Sequence, residues 1–337
     1  MVVNNLNFKK NKMKKLFLIS SAVVMLFAGC QKNNLTGTDA KNPAINLKRS
    51  CASMDVLAEQ LKADPTLEAR MNTYEEIVQK NIAENKTARL VNGVIEIPVV
   101  VNVLYKTTAE NVSQAQIQSQ IDVLNEDYNA TNTDWSKVPS VWSGIKANVG
   151  IRFVLDQVIR KSTTKTSWGT NDAMKKSSRG GISPTSPTTK LNLWVCTLSG
   201  GILGYAQFPG GSSATDGVVI LNTGFGRTGT AASPYNLGRT ATHEVGHWLN
   251  LRHIWGDDGG ACSGSDLISD TPNQGAENYG KPAFPHTDAC SPSSPGVMFM
   301  NYMDYTDDDA MFMLTSGQKS RILATFAAGG PRNSFAQ

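Results

Sequence analysis

Histidine is scarce in this chain of 337 residues: there are four. Cysteine is almost as rare, with five. Neither charge sign dominates, with 32 Lys and Arg against 28 Asp and Glu, and part of the excess is Lys9, Lys10, Lys12, Lys14 and Lys15 at the extreme N-terminus. A nucleic-acid partner would call for a basic patch or stripe, and the near-balance of the remainder argues against one. Beyond residue 30 no apolar run reaches the roughly 20 residues that span a bilayer. No internal repeat is found, which sets solenoids and propellers aside. With 40% hydrophobic and 18% charged residues the composition is that of an ordinary globular protein.

The first thirty residues read as a targeting segment. A basic stretch ending at Lys14-Lys15 precedes an apolar run from Leu16 to Phe27, then Ala28-Gly29-Cys30. The run has the length of a signal-peptide core and is too short to cross a membrane. Small residues directly before a cysteine resemble a bacterial lipobox, in which Cys30 is lipidated and becomes the mature N-terminus. Phe27 departs from the usual aliphatic residue, so plain signal cleavage is the alternative. Either way the expectation is export, as a cell-envelope lipoprotein or a secreted protein. Membrane contact is expected only through this anchor.

Residues 31 to about 47 are polar and read as a tether. Residues 53–84 carry Leu57, Leu61, Leu67 and Met71 near helical intervals, with Pro65 dividing them into two helices. The main boundary is placed near Arg89, which separates a tether and helical pro-segment (31–89) from a domain over 90–337. From Val94 to Tyr105 the chain is β-branched and apolar, a buried strand. A helix is expected over Gln114–Tyr128, strands over Gly150–Val158 and Leu191–Cys196, and shorter strands over Gly204–Pro209 and Gly217–Leu221. Helices follow over Arg239–Leu251 and Ser316–Phe326. Residues 256–297 hold many Gly, Ser, Asp and Pro and no periodic pattern; a loop of that length is functional or held by metals or disulfides. Cys262 and Cys290 bracket it and could pair in an oxidising compartment. Cys196, in a strand-like run, reads as a buried free thiol. The sum is an α/β sandwich followed by an irregular C-terminal part, with subdomains of about 90–252 and 253–337.

Three of the four histidines fall within eleven residues: His243-Glu244-Val245-Gly246-His247-Trp248-Leu249-Asn250-Leu251-Arg252-His253. Histidines four apart on a helix share one face and can converge on one Zn²⁺. Glu244 can reach the open fourth position and act as general base on a water there. A straight helix would carry His253 roughly 9 Å beyond His247. The chain must turn sharply after Leu249, through a left-handed residue, to bring it back as third ligand. Metzincins use Gly at that bend; Asn250 stands here, the next most tolerant residue. His286 reads as an exposed loop residue. Metzincins carry a methionine in a tight turn beneath the metal, and by that resemblance Met303 is chosen, with Met298, Met300, Met311 and Met313 as competitors. The Tyr305 hydroxyl is placed to hydrogen-bond a developing oxyanion.

HEVGHWLNLRHIWGD, the later Ser269-Asp270-Thr271-Pro272-Asn273-Gln274, and NYMDYTDD at 301–308 together resemble the pappalysin family of metzincins, above all its bacterial ulilysin and cytophagalysin branch. Leu203–Gly210 and Asp216-Gly217-Val218-Val219 are similar to that branch too, and the likeness spans roughly 94–326. The resemblance implies a twisted mixed sheet with the active-site helix in an upper part, an irregular lower part with the methionine turn, and a substrate cleft between. It implies that Gly204–Phe208 forms the upper rim and pairs with an extended peptide. It implies calcium in the loop, with Asp257, Asp266, Asp270 and Thr271 as candidate oxygen ligands. It implies selectivity for Arg or Lys after the cut, through Asp308, or Asp307 in another register. It implies latency: Arg49-Ser50-Cys51-Ala52 resembles the family's pro-segment, whose cysteine takes the fourth metal position, although Ala52 stands where Gly is usual. The pro-segment is thus an expected inhibitory partner, with release near Lys86 or Arg89. The competing reading is a catalytically silent zinc-binding surface lipoprotein; the presence of Glu244 speaks against it.

Overall fold

The computed structural model describes residues 48–88 and 93–336. The expected signal segment and tether, Cys30 and the expected boundary at Arg89 lie outside the described residues.

The pro-segment begins as an extended stretch and continues as helices α1 (Ser53–Ala63) and α2 (Leu67–Ala83), broken around Pro65 as expected. Strand β1 (Ile95–Tyr105) follows, then α3 (Gln114–Tyr128), whose first turn is capped by the Ser113 side chain accepting from Gln116 N. Strand β2 (Ile151–Ser162) is an edge strand that runs four residues past the apolar pattern, because its backbone stays paired with β1 as far as Ser162 while its outer side chains reach water. Strands β3 (Leu191–Cys196), β4 (Gly204–Ala206) and β5 (Val218–Leu221) complete a sheet of order β2-β1-β3-β5-β4. All pairings are parallel except β4 with β5. The register of β1 against β2 shifts once, between Val99 and Val100. Helix α4 (Arg239–Trp248) and helix α5 (Ser316–Phe326) complete the elements, α5 starting in a capping box between Thr315 and Gln318.

One face of the sheet carries Ile97, Val99, Leu193 and Ile220 against Ile117, Ile121 and Leu124 of α3 and Ala241, Val245 and Trp248 of α4. The opposite face departs from the expected sandwich. Trp194, Cys196 and Val219 are covered not by helices but by Trp168, Met174 and Ile182 of the β2–β3 connection, and by Ala52 and Val56 of the pro-segment. A third apolar cluster, with Trp142, Trp255, Met298, Phe312 and Met313, fills the C-terminal part. The stretch 256–297 has no helix or strand, as anticipated. It is tied by a Cys262–Cys290 disulfide and by Asp258, whose carboxylate accepts from the amides of Gly260, Ala261, Ser263 and Gly264.

Candidate active site

Helix α4 ends where the third histidine requires it to. Leu249 closes the helix, and Asn250 takes φ 72°, the left-handed conformation predicted for the bend. Leu251 N then donates to Gly246 O, and His253 comes back beside α4. The Nε2 atoms of His243 and His253 each lie 3.1 Å from Nε2 of His247. Each Nδ1 has a partner of its own: Tyr302 O at 2.7 Å for His243, Leu251 O at 2.9 Å for His247, and Asp257 Oδ1 at 2.8 Å for His253. These partners put the proton on Nδ1 and leave three lone pairs aimed at one point. Burial, then the neighbouring imidazoles, push the pKa values of His243 and His247 well down, so the rings are neutral. With zinc–nitrogen bonds of about 2.0–2.1 Å, tetrahedral ligands stand a little over 3 Å apart, and the donor set fits that ion.

Cys51 Sγ joins the three rings, and the four ligand atoms lie within 4.8 Å of one another. Among the described residues this is the one such group found. Residues 50–52 lie along the free edge of β4: Leu203 N donates to Ser50 O, and Ala52 N to Gly204 O. The pairing of Cys51 with Gly204 is parallel. Gly204 is needed there, since a Cβ would stand 2.9 Å from both Glu244 Cγ and Val219 O. Glu244 is fully buried, and its Oε2 faces Cys51 Sγ at 3.2 Å and accepts from Ser53 Oγ at 2.9 Å. Burial pushes its carboxyl up to about 7, against the lowering effect of those two hydrogen bonds. Tyr305 Oη lies 3.2 Å from His253 Nε2 and also contacts the Cys51 backbone. Met303 is buried against α4, and a Cβ on Gly246 would meet its Sδ at 2.4 Å. The glycine inside the histidine motif therefore makes room for the sulfur of the turn.

Asp308, not Asp307, is the buried acid. Its Oδ2 accepts from Leu237 N and Arg239 N at the start of α4, and its Oδ1 accepts from Arg49 Nη2 at 2.5 Å. Arg239 is held by Asp134 and Asp127 and also donates to Asp308 O. Sequence reasoning assigned no contact to Arg49 or Ser53; the signal available was their spacing of two residues on either side of Cys51.

Among the proposed calcium ligands, Asp266 and Thr271 are in direct contact. Asp257 serves His253, Asp266 accepts from Thr271 Oγ1 at 2.9 Å, and Asp270 accepts from Thr315 Oγ1 and Gly317 N. His286 packs its ring against Phe299, away from the metal group. Cys196 is a buried free thiol.

Residues 190–327 match the family described as Pregnancy-associated plasma protein-A, peptidase family M43. Mature mirolysin of Tannerella forsythia, solved with a cleaved peptide, is 50% identical over 72% of this chain and 96% of its own, with a TM-score of 0.71. This chain belongs to the pappalysin family. The promirolysin structure, of a Glu-to-Ala mutant, is 44% identical and covers 86% of this chain and 97% of its own, at a TM-score of 0.78. An extracellular metalloprotease of Pyricularia oryzae is 35% identical over 74% of this chain and 82% of its own length. One from Colletotrichum graminicola is 34% identical over 75% and 86%. The chain is thus a zinc metallopeptidase with the pappalysin metzincin fold, and the likeness to promirolysin extends over residues preceding the catalytic part.

Proposed function

We propose that the chain is an exported endopeptidase made as a zymogen, cutting peptide bonds before a cationic residue. One observation carries this: Cys51 is seated on the histidine group while Arg49, two residues earlier, fills the buried site at Asp308.

His243, His247 and His253 would hold the zinc. Bound there, the ion would lower the pKa of a water to about 7 and polarise the scissile carbonyl. Glu244 accepts the proton of the attacking water and passes it to the leaving amine. The Tyr305 hydroxyl donates to the oxyanion, and Met303 forms the apolar floor. The edge of β4 pairs with an extended peptide, a role supported by residues 50–52 lying on it. Direction then separates inhibitor from substrate. In the pro-segment the chain runs from the Asp308 site towards the metal group. A substrate cut before an arginine must run from the metal towards Asp308, antiparallel to β4. The pro-segment fills both subsites in the reversed sense and offers no scissile bond.

Cys51 is the latency switch, with Ser53 occupying Glu244 and the boundary for release in the region of Lys86 and Arg89. Calcium is assigned to the C-terminal loop; the support is its density of acids, among which buried Asp266 has hydrogen bonds but no ion pair among the described residues. Export is supported by the naming of relatives as extracellular metalloproteases, with Cys30 as the lipid attachment. The test is cleavage of peptides that differ only after the cut, by the activated protein, with and without chelator, beside Glu244→Ala. Chelator-sensitive cleavage before Arg or Lys, lost in the variant, is the expected result. Zinc-loaded protein without any cleavage would return the reading to a silent binding module.

A further inference from the structure

Lys175 is a fully buried cation that takes no part in the chemistry of the histidine group. It lies in the long β2–β3 connection. Its ammonium meets Asp172 Oδ1 at 2.9 Å and donates to Thr215 O at 2.8 Å. Its Nζ stands 4.9 Å from the centre of the Tyr205 ring. The same Asp172 Oδ1 accepts from the Tyr205 hydroxyl at 3.0 Å. Thr215 in turn donates from Oγ1 to Gln207 Oε1 at 2.7 Å. One ammonium thus fastens two residues of the rim, Tyr205 through Asp172 and Gln207 through Thr215. Burying a lysine is costly unless it is paired and hydrogen-bonded, and here every partner named lies on β4, on the loop after it or on the β2–β3 connection.

Strand β4 needs such support. It has three residues, lies at the outer edge of the sheet and has β5 as its one neighbouring strand among the described residues. In the zymogen its other side is held by the pro-segment, through Leu203 N to Ser50 O, Ala52 N to Gly204 O and Ala206 N to Ser53 Oγ. Those bonds are lost when the pro-segment leaves. Alternation along the strand turns Gly204 towards Glu244 and sends the Tyr205 side chain to the opposite face, where Asp172 and Lys175 lock it. We infer that Lys175 and Asp172 are positioning residues for substrate binding, which keep the free edge of β4 aligned for an extended peptide once the pro-segment is gone. The inference rests on the reading of β4 as the peptide-pairing edge and deepens it. Hydrogen bonds weaken steeply as their angle falls, so a rim free to tilt loses backbone bonds to substrate with no change at the metal.

The full-length protein, activated by limited proteolysis between Glu84 and Ile95, is assayed on peptides that share the residues at the cut. One is long on both sides, one is trimmed to the residues at the cut, and one is the long peptide N-methylated at the amides that would face β4. Lys175→Met combined with Asp172→Asn removes both charges together, so no unpaired ion is left buried. In this variant KM for the long peptide should rise roughly 3- to 10-fold, the loss of about one backbone hydrogen bond, with kcat within about a factor of two. Cleavage of the trimmed peptide and zinc content should stay at wild-type values. N-methylation should raise KM in the wild type and much less in the variant, a coupling that a merely structural role does not produce. Tyr205→Phe keeps the ring and loses the hydroxyl that reaches Asp172; it should raise the same KM about threefold, and it decides the matter should the double variant not fold. Wild-type KM for the long peptide in the variants, with N-methylation still weakening the wild type, would overturn the inference and leave β4 as the peptide edge. An equal fall in kcat/KM on long and trimmed peptides would assign Lys175 and Asp172 to stability alone. No effect of N-methylation in the wild type would sink the reading of β4 and this inference together.

Discussion

Replacing Glu75 by Gln should loosen the pro-segment, although its partner Arg321 also donates to Asn250 O at the bend before His253. Glu75 sits on α2 and meets Arg321 of α5 through two hydrogen bonds of 2.7 and 2.6 Å. Arg321 is fully buried and Glu75 is 26% exposed, so water screens the pair little. Burial by itself would raise the carboxyl; the hydrogen bonds and charge of Arg321 override it and bring the value from 4.5 down to about 2. A shift of that size corresponds to about 3 kcal/mol of docking. Glu75→Gln keeps the shape and removes the charge, and should raise the open fraction of the zymogen on the order of a hundredfold. The assay is basal hydrolysis of a fluorogenic peptide by the uncleaved protein, with the melting temperature measured beside it. The carboxyl is depressed when docked, so its contribution is complete above about pH 4.5 and is lost as pH falls towards 2. The difference in melting temperature between wild type and variant should therefore be full at pH 7 and vanish across that acid window. Basal hydrolysis within a factor of two of wild type, with an unchanged melting temperature, would refute the assignment of docking energy to this pair.

Other outcomes follow from the site. Asn250→Gly should be tolerated, since φ 72° suits glycine, while Asn250→Val should cost roughly 1–2 kcal/mol and reduce zinc content by displacing His253; melting curves and metal analysis decide. Cys51→Ala should raise basal peptide hydrolysis yet leave it below the activated level, because Ser53 still holds Glu244 and Arg49 still fills the pocket; a fully active uncleaved variant would contradict the shared blockade. Removing the Cys262–Cys290 bridge, with its sequence separation of 28, should cost roughly 3–4 kcal/mol, measured by denaturant unfolding. Adding calcium to chelated, zinc-replete protein should raise the melting temperature; an unchanged value would remove calcium from the loop.

Local spacing was enough for whatever depends on spacing alone. The helical period placed α3 and α5, apolar alternation placed β3, and the two histidines four apart had to share a helix face. The tolerance of asparagine for positive φ made a bend at Asn250 readable, and the structure has that bend and brings His253 and Tyr305 beside α4, with Met303 against Gly246. What the sequence could not order were contacts between segments hundreds of residues apart. Nothing in Arg49 or Asp308 taken singly says that they meet, or that Thr240 and Thr306 complete the same pocket, because that depends on α4 starting beneath Asp308 and on the pro-segment lying along β4. The loop acids show the same limit: the string of residues does not say that Asp257 meets His253, Asp266 meets Thr271 and Asp270 meets the start of α5. Periodicity and residue chemistry are local properties of a chain, whereas which buried polar groups satisfy one another is decided only when the chain is packed.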